Sequence, residues 1–188
     1  KLSNVPDLAD TRLMLKLLHD LGIKSKWKNG HVNFNWIAQK DEASYELVRQ
    51  MRASILILGP LLASQGSAKV PLPGGCAIGS RPIDLHVMVM EALGANIKFD
   101  SGFIIGSVPS EGLRGGKINF PKISVGATEN LIIAATLAKG TTILKNCAIE
   151  PEIKDLTNFL IKLGCDLKWL SNRTIRIKGV KNTHEIKY

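Results

Sequence analysis

Three Leu-Gly pairs, Leu21-Gly22, Leu93-Gly94 and Leu163-Gly164, recur about every 70 residues along this chain. Each closes a stretch that opens with a proline and then an acid: Val5-Pro6-Asp7, Arg81-Pro82-Ile83-Asp84 and Glu150-Pro151-Glu152. Proline suits the first helical position, where a missing N–H costs nothing, and an acid there complements the helix dipole. Glycine just past a helix end takes the left-handed conformation that other residues avoid. A second turn residue follows each glycine (Gly30, Gly102, Asn172), and a β-like run comes next: 31–34, 103–105 and 174–177. The recurring piece is therefore predicted as helix, strand, turn, strand.

The other half of the unit is read from two apolar runs, 53–65 and 127–139. They are closed by Gly66 and Gly140 and lead into predicted strands at 67–71 and 141–144. Both predicted helices are apolar nearly all round, as buried helices are. The helices expected from Pro82 and Pro151 instead carry one stripe each: Leu85, Val89 and Leu93, and Ile153, Leu156, Leu160 and Leu163. The whole unit reads β-α-β-α-β-β. The expected fold is α/β, with repeats of about 70 residues, helices inward and sheets outward. A common α/β sandwich has the opposite bias, with its continuous apolar runs in the parallel strands. Residues 1–188 are expected to form one domain, with a partial first repeat at 1–40, a second at 45–110 and a third at 117–180. The first repeat lacks its opening half, so the chain reads as a fragment that starts late.

With 188 residues, 45% of them apolar, the chain can bury a full core. Its net charge of +9 implies an anionic partner. The basic residues are dispersed, and Trp, Tyr and Phe are few, which fits a small phosphorylated ligand better than a nucleic acid. A non-catalytic nucleotide- or RNA-binding module remains an alternative at this point. The histidines at 19, 31, 86 and 184 are scattered, and Cys76, Cys147 and Cys165 form no Cys-x-x-Cys, so neither a zinc site nor a disulfide framework is expected. That usage suits a reducing compartment, the cytoplasm. No apolar run reaches the length of a membrane span, and no signal peptide is seen.

One loop carries reactive chemistry: Pro71-Leu-Pro-Gly-Gly-Cys-Ala-Ile-Gly-Ser-Arg-Pro82. Cys76 sits on glycines shortly before a helix start, with Arg81 nearby. Both neighbours favour thiolate over thiol. Cys147 and Cys165 are expected in the core. A thiol redox module would need a resolving cysteine at close spacing, which is missing.

Several stretches together resemble the UDP-N-acetylglucosamine 1-carboxyvinyltransferase family of enolpyruvyl transferases. They are Met51-Arg-Ala-Ser54, Leu58-Gly-Pro-Leu-Leu62, Leu72-Pro-Gly-Gly-Cys-Ala-Ile-Gly79, Arg81-Pro-Ile-Asp-Leu-His86, Ser124-Val-Gly-Ala-Thr128, Ala135-Thr-Leu-Ala-Lys-Gly-Thr-Thr142 and Glu150-Pro-Glu-Ile153. The resemblance implies one lobe of an inside-out α/β barrel, with the active site between two similar domains. It implies transfer of the enolpyruvyl group of phosphoenolpyruvate to the 3-hydroxyl of UDP-N-acetylglucosamine, by addition and then elimination of phosphate. That reaction commits sugar nucleotide to peptidoglycan and uses no metal or organic cofactor. The shikimate-pathway enolpyruvyl transferase shares the fold and is the alternative enzyme; the loop cysteine and the Ser-Val-Gly-Ala-Thr run count against it.

Carried over by motif, Cys76 is expected to act as general acid toward phosphoenolpyruvate and to be the residue alkylated by fosfomycin. A group that ionises and can also donate a proton suits that role. Arg81 would face phosphoenolpyruvate and Arg52 the substrates, because a guanidinium fork matches carboxylate and phosphate oxygens. Arg81, Pro82, Ile83, Asp84 and Leu85 would hold the uridine. Lys122, Ile123, Ser124, Val125 and Gly126 would line the nucleotide's other side, where the N–H groups of a helix start favour an anion. Ser124 also reads as a plain helix cap. The family's Lys-Asn pair for phosphoenolpyruvate and its second-domain aspartate base match no position here, and 181–188 would begin the crossover to that second domain. Neither a nucleic acid nor a membrane is an expected partner.

Overall fold

The computed structural model describes residues 1–35, 38–72, 83–181 and 183–188. Its last block shows the unit in full. Strand β6 (Lys117–Asn119) leads through helix α5 (Val125–Leu137) to β7 (Thr141–Lys145), then through α6 (Pro151–Lys162) to the hairpin β8 (Asp166–Ser171) and β9 (Thr174–Lys178). The sheet order is β6-β7-β9-β8, with β6 parallel to β7 and the other pairs antiparallel. A parallel pair needs a crossover between its strands, and α5 is that crossover.

The preceding block repeats the plan with a weaker start. A parallel bridge from Glu42 to Lys69 stands where β6 meets β7. Then come a short helix α2 (Tyr45–Val48), a 3-10 helix (Arg52–Ile57), α3 (Leu58–Gln65), β3 (Ser67–Pro71), α4 (Asp84–Ala92), β4 (Asn96–Asp100) and β5 (Phe103–Ser107), in sheet order β3-β5-β4. The opening block shows α1 (Ala9–Asp20) and the hairpin β1 (Lys24–Lys28) and β2 (His31–Asn35). There Leu2 bridges antiparallel to Val32, in the place that β3 takes beside β5.

The three helix ends match atom for atom. Gly22, Gly94 and Gly164 take φ of 90°, 94° and 93°. Each glycine N–H bonds to the carbonyl three residues back, and the next residue's N–H reaches five back: Ile23 to Leu18, Ala95 to Met90, Cys165 to Leu160. These are Schellman motifs, and they satisfy carbonyls that would otherwise be orphaned. Two of the hairpins also match, with Asn29-Gly30 and Ser101-Gly102 both at positive φ, as tight hairpin turns require. The third departs from expectation: Asn172 is not left-handed, and the ladder carries a register shift between Trp169 and Ser171.

Helices occupy the interior, as their composition requires. Helix α5 buries Ala127, Thr128, Asn130, Leu131, Ile132, Ala134, Ala135 and Thr136, and packs against α3, α4 and α6. The sheets bury one face more than the other, with buried and less buried residues alternating along β5 and β9. Helix α4 buries more than the expected stripe, adding His86, Val87 and Met90 to it. Among the described residues no helix is long and apolar enough to cross a membrane.

Helix boundaries correct the sequence reading in three places. The run 53–65 is not one α-helix: a 3-10 helix covers Arg52–Ile57, and α3 starts at Leu58. Pro60 has no N–H and crowds the carbonyl four residues back, so it fits only within the first turn of an α-helix. Helix α5 runs Val125–Leu137 rather than 127–139, because Ser124 caps it early and Ala138 turns extended. Of the three prolines expected to open helices, Pro151 does so; α1 begins at Ala9 and α4 at Asp84.

Candidate functional site

The candidate site gathers at the start of α5. Ser124 is extended, and its side chain accepts from the Ala127 N–H at 3.3 Å, so the plain capping role is realised. Thr128 braces the same turn. Its hydroxyl donates to the Ser124 carbonyl at 2.7 Å and accepts from the Ala148 N–H at 3.1 Å. The N–H groups of Val125 and Gly126 find no acceptor among the described residues. Among the described residues two backbone donors therefore stay open where the helix dipole is positive, the arrangement that attracts an anion.

The described residues of the two segments expected to bind the nucleotide, 83–85 and 122–126, meet here. Lys122 Nζ lies 3.9 Å from Asp84 Oδ2, joining the strand end before α5 to the first residue of α4. Both side chains are more than half exposed, so the pair is worth little to stability. It joins the segment before α5 to the start of α4. Ile123 is exposed at 44%, whereas Val125 is half-buried. Ile83 packs against the core, and Leu85 lies fully within it at 5% exposure. Leu85 can therefore meet a ligand only through its backbone, in the first turn of α4. Arg52 opens the 3-10 helix, which packs on α5, and it makes no ion pair with any described residue. Cys76, Arg81 and Pro82 lie outside the described residues.

Beneath these segments lies a polar group that the sequence reading missed. His86, one turn into α4, is 8% exposed, and its edge lies against Gly126: a Cβ on that glycine would stand 3.4 Å from Nε2. Its Nδ1 sits 3.1 Å from Nδ2 of Asn130, which is fully buried in α5. Burial pushes the His86 pKa down to about 4, against a smaller opposing effect of Asp84, so the ring is neutral at pH 7. Asn130 also donates to the Ile55 carbonyl at 3.0 Å and accepts from the Gly59 N–H at 2.8 Å. One amide thus ties together the 3-10 helix, α3, α4 and α5. An asparagine in the middle of an otherwise apolar helical run was the available signal, since a buried amide must find partners.

The sequence profile of the family described as EPSP synthase (3-phosphoshikimate 1-carboxyvinyltransferase) matches residues 1–188. Over 188 residues the chain is 54% identical to the UDP-N-acetylglucosamine 1-carboxyvinyltransferase of Pelagibacter ubique, covering 100% of this chain and 45% of that one. The enzyme of the same name from Rhodospirillum centenum is 50% identical over 190 residues, covering 95% and 44%. The chain thus spans less than half the length of the curated relatives it matches. Among solved structures, the enolpyruvyl transferase NikO from Streptomyces tendae superposes with a TM-score of 0.78 at 18% identity, over 95% of this chain and 42% of that one. An EPSP synthase from Acinetobacter baumannii gives 0.76 at 17% identity, over 99% and 42%. At such identities the likeness is one of fold.

Proposed function

The chain belongs to the EPSP synthase (3-phosphoshikimate 1-carboxyvinyltransferase) family, and from its likeness to relatives of the UDP-sugar name we propose that the protein containing it is a UDP-N-acetylglucosamine 1-carboxyvinyltransferase. The fold is that of the enolpyruvyl transferases. In the proposed reaction the sugar 3-hydroxyl gives its proton to a base and adds to C2 of phosphoenolpyruvate while C3 gains a proton. A proton then leaves C3 and phosphate leaves C2, and the enol ether remains. Cys76 supplies the proton to C3, and Arg81 and Arg52 hold the phosphate and carboxylate oxygens. The uridine lies along Arg81, Pro82, Ile83, Asp84 and Leu85. The diphosphate lies against Lys122, Ile123, Ser124, Val125 and Gly126.

One observation supports this reading: the Lys122–Asp84 pair joins the described parts of the two proposed segments, next to a helix start whose Val125 and Gly126 N–H groups have no acceptor among the described residues. Two relatives at 50% identity or more bear the UDP-sugar name, which favours that acceptor over shikimate 3-phosphate. The proposed setting is the cytoplasm, in the first committed step of peptidoglycan synthesis, with fosfomycin as a covalent inhibitor at Cys76.

Two measurements on the full-length protein test the reading. Competition binding should show UDP-N-acetylglucosamine displacing a uridine probe and shikimate 3-phosphate leaving it in place; the reverse order would assign the protein to the shikimate reaction. Fosfomycin should add its mass to Cys76 and not to a Cys76→Ala variant. Equal labelling of both would remove Cys76 from the mechanism.

A further inference from the structure

The Asn130 amide has only one orientation that its neighbours accept. Oδ1 faces the Gly59 N–H at 2.8 Å, and Nδ2 faces the Ile55 carbonyl at 3.0 Å. Turning the amide over would set donor against donor and acceptor against acceptor at two buried sites. The nitrogen that meets His86 Nδ1 at 3.1 Å is therefore an N–H donor. A ring nitrogen that accepts a hydrogen bond carries no proton, so the neutral ring holds its proton on Nε2.

No hydrogen bond of that Nε2–H to a described residue is found, and its residue is 8% exposed. It lies along Gly126, where any Cβ would crowd it: Cε1 would stand 3.3 Å away and Nε2 3.4 Å. Beside it are the open N–H groups of Val125 and Gly126. The ring edge thus lies against the helix start that carries these two N–H groups, and its tautomer is set by a side chain of another helix.

We propose that Asn130 is a positioning residue of the nucleotide site: it holds His86 as the Nε2–H tautomer, so that a neutral donor joins the Val125 and Gly126 N–H groups in receiving the diphosphate. This rests on the nucleotide reading given above. Asn130 touches no ligand itself. Its two backbone partners hold the amide, and the amide holds the ring. Gly59 is part of the device, because a Cβ there would run into the Asn130 side chain and stand 2.7 Å from its backbone oxygen.

The test uses full-length protein labelled with [15N]histidine, and His86 is assigned by the signal missing from a His86→Gln variant. Long-range proton–nitrogen correlation at pH 7 should show Nε2 protonated and Nδ1 bare, and UDP should shift that signal. Asn130→Asp presents only acceptors to the ring, so the proton should move to Nδ1. UDP affinity should then fall by on the order of tenfold, with uridine affinity unchanged. Asn130→Ala adds no charge and should yield mixed tautomers and a smaller loss, again for UDP alone. A wild-type ring protonated on Nδ1 overturns the proposal without any variant. Equal UDP binding by the wild type and both variants overturns the positioning role and leaves the nucleotide reading intact, as does a loss shared equally by uridine. If wild-type protein with the Nε2–H signature binds no UDP, the nucleotide reading fails and takes the ligand half of the proposal with it.

Discussion

At the scale of single residues, burial sorts groups of one kind into different behaviours. Cys147 and Cys165 are both buried, and desolvation raises both thiols above their ordinary range. In native protein a disulfide reagent should therefore leave both unmodified, and both should react once urea unfolds the chain. Mapping the modified cysteines by peptide mass checks this. His86 gives a pH effect of definite sign. Its folded pKa of about 4 lies below the unfolded value near 6.5, so the unfolded state binds the extra proton between those limits. Stability from this group is complete above pH 6.5 and is lost as pH falls toward 4, by on the order of 3 kcal/mol at most. Urea titrations at pH 7 and pH 4.5 should show that His86→Gln loses less stability on acidification than the wild type. Glu129 has the opposite sign. Half-buried and facing the charge of Glu152, its carboxyl is pushed up, first by desolvation and then by that neighbour. Its ionised form costs stability above its unfolded pKa, so Glu129→Gln should stabilise the chain at pH 7 and lose that advantage near pH 4.

At the scale of elements, the parts legible in the sequence were those decided locally. Leu21-Gly22, Leu93-Gly94 and Leu163-Gly164 announced their helix ends because a left-handed residue after a helix is a matter of a few neighbours. Gly94 has open space around the position of a Cβ, so Gly94→Ala meets backbone strain alone. It should cost about 1–2 kcal/mol, read as a lower urea midpoint at unchanged slope. Gly94→Asn should cost less, since asparagine tolerates that conformation better. The break at Pro60 was also written locally, but a strong apolar pattern obscured it. The hub at Asn130 was not legible. Its partners Gly59 and His86 lie 71 and 44 residues away in sequence, and only the packing of α3 and α4 on α5 reveals them. The same separation explains the site. Ser124 could be read as a cap from its neighbours, whereas the meeting of Lys122 with Asp84 required two blocks to fold against each other.

For the molecule as a whole, the repeat decides what this piece can and cannot do. Between α1 and α3 runs a groove of about 250 Å³, lined by Met14, Leu18, Leu21, Leu56, Pro60 and Leu61 with almost no polar surface. In the following block the equivalent helices, α4 and α5, pack directly against each other. An apolar groove open to water favours association. The nucleotide half of the proposed site, by contrast, is built within these residues, from α4, the 3-10 helix and α5. The two halves of the activity should therefore separate. By itself the 188-residue chain should bind UDP, seen as quenching of a fluorescent uridine probe, yet release no phosphate from phosphoenolpyruvate and UDP-N-acetylglucosamine. It should also sediment as associated species at concentrations where Leu61→Lys, which places a charge in the groove, sediments as a monomer. Catalytic phosphate release by the chain alone would show that one lobe holds the complete chemistry and would overturn the two-sided site proposed here.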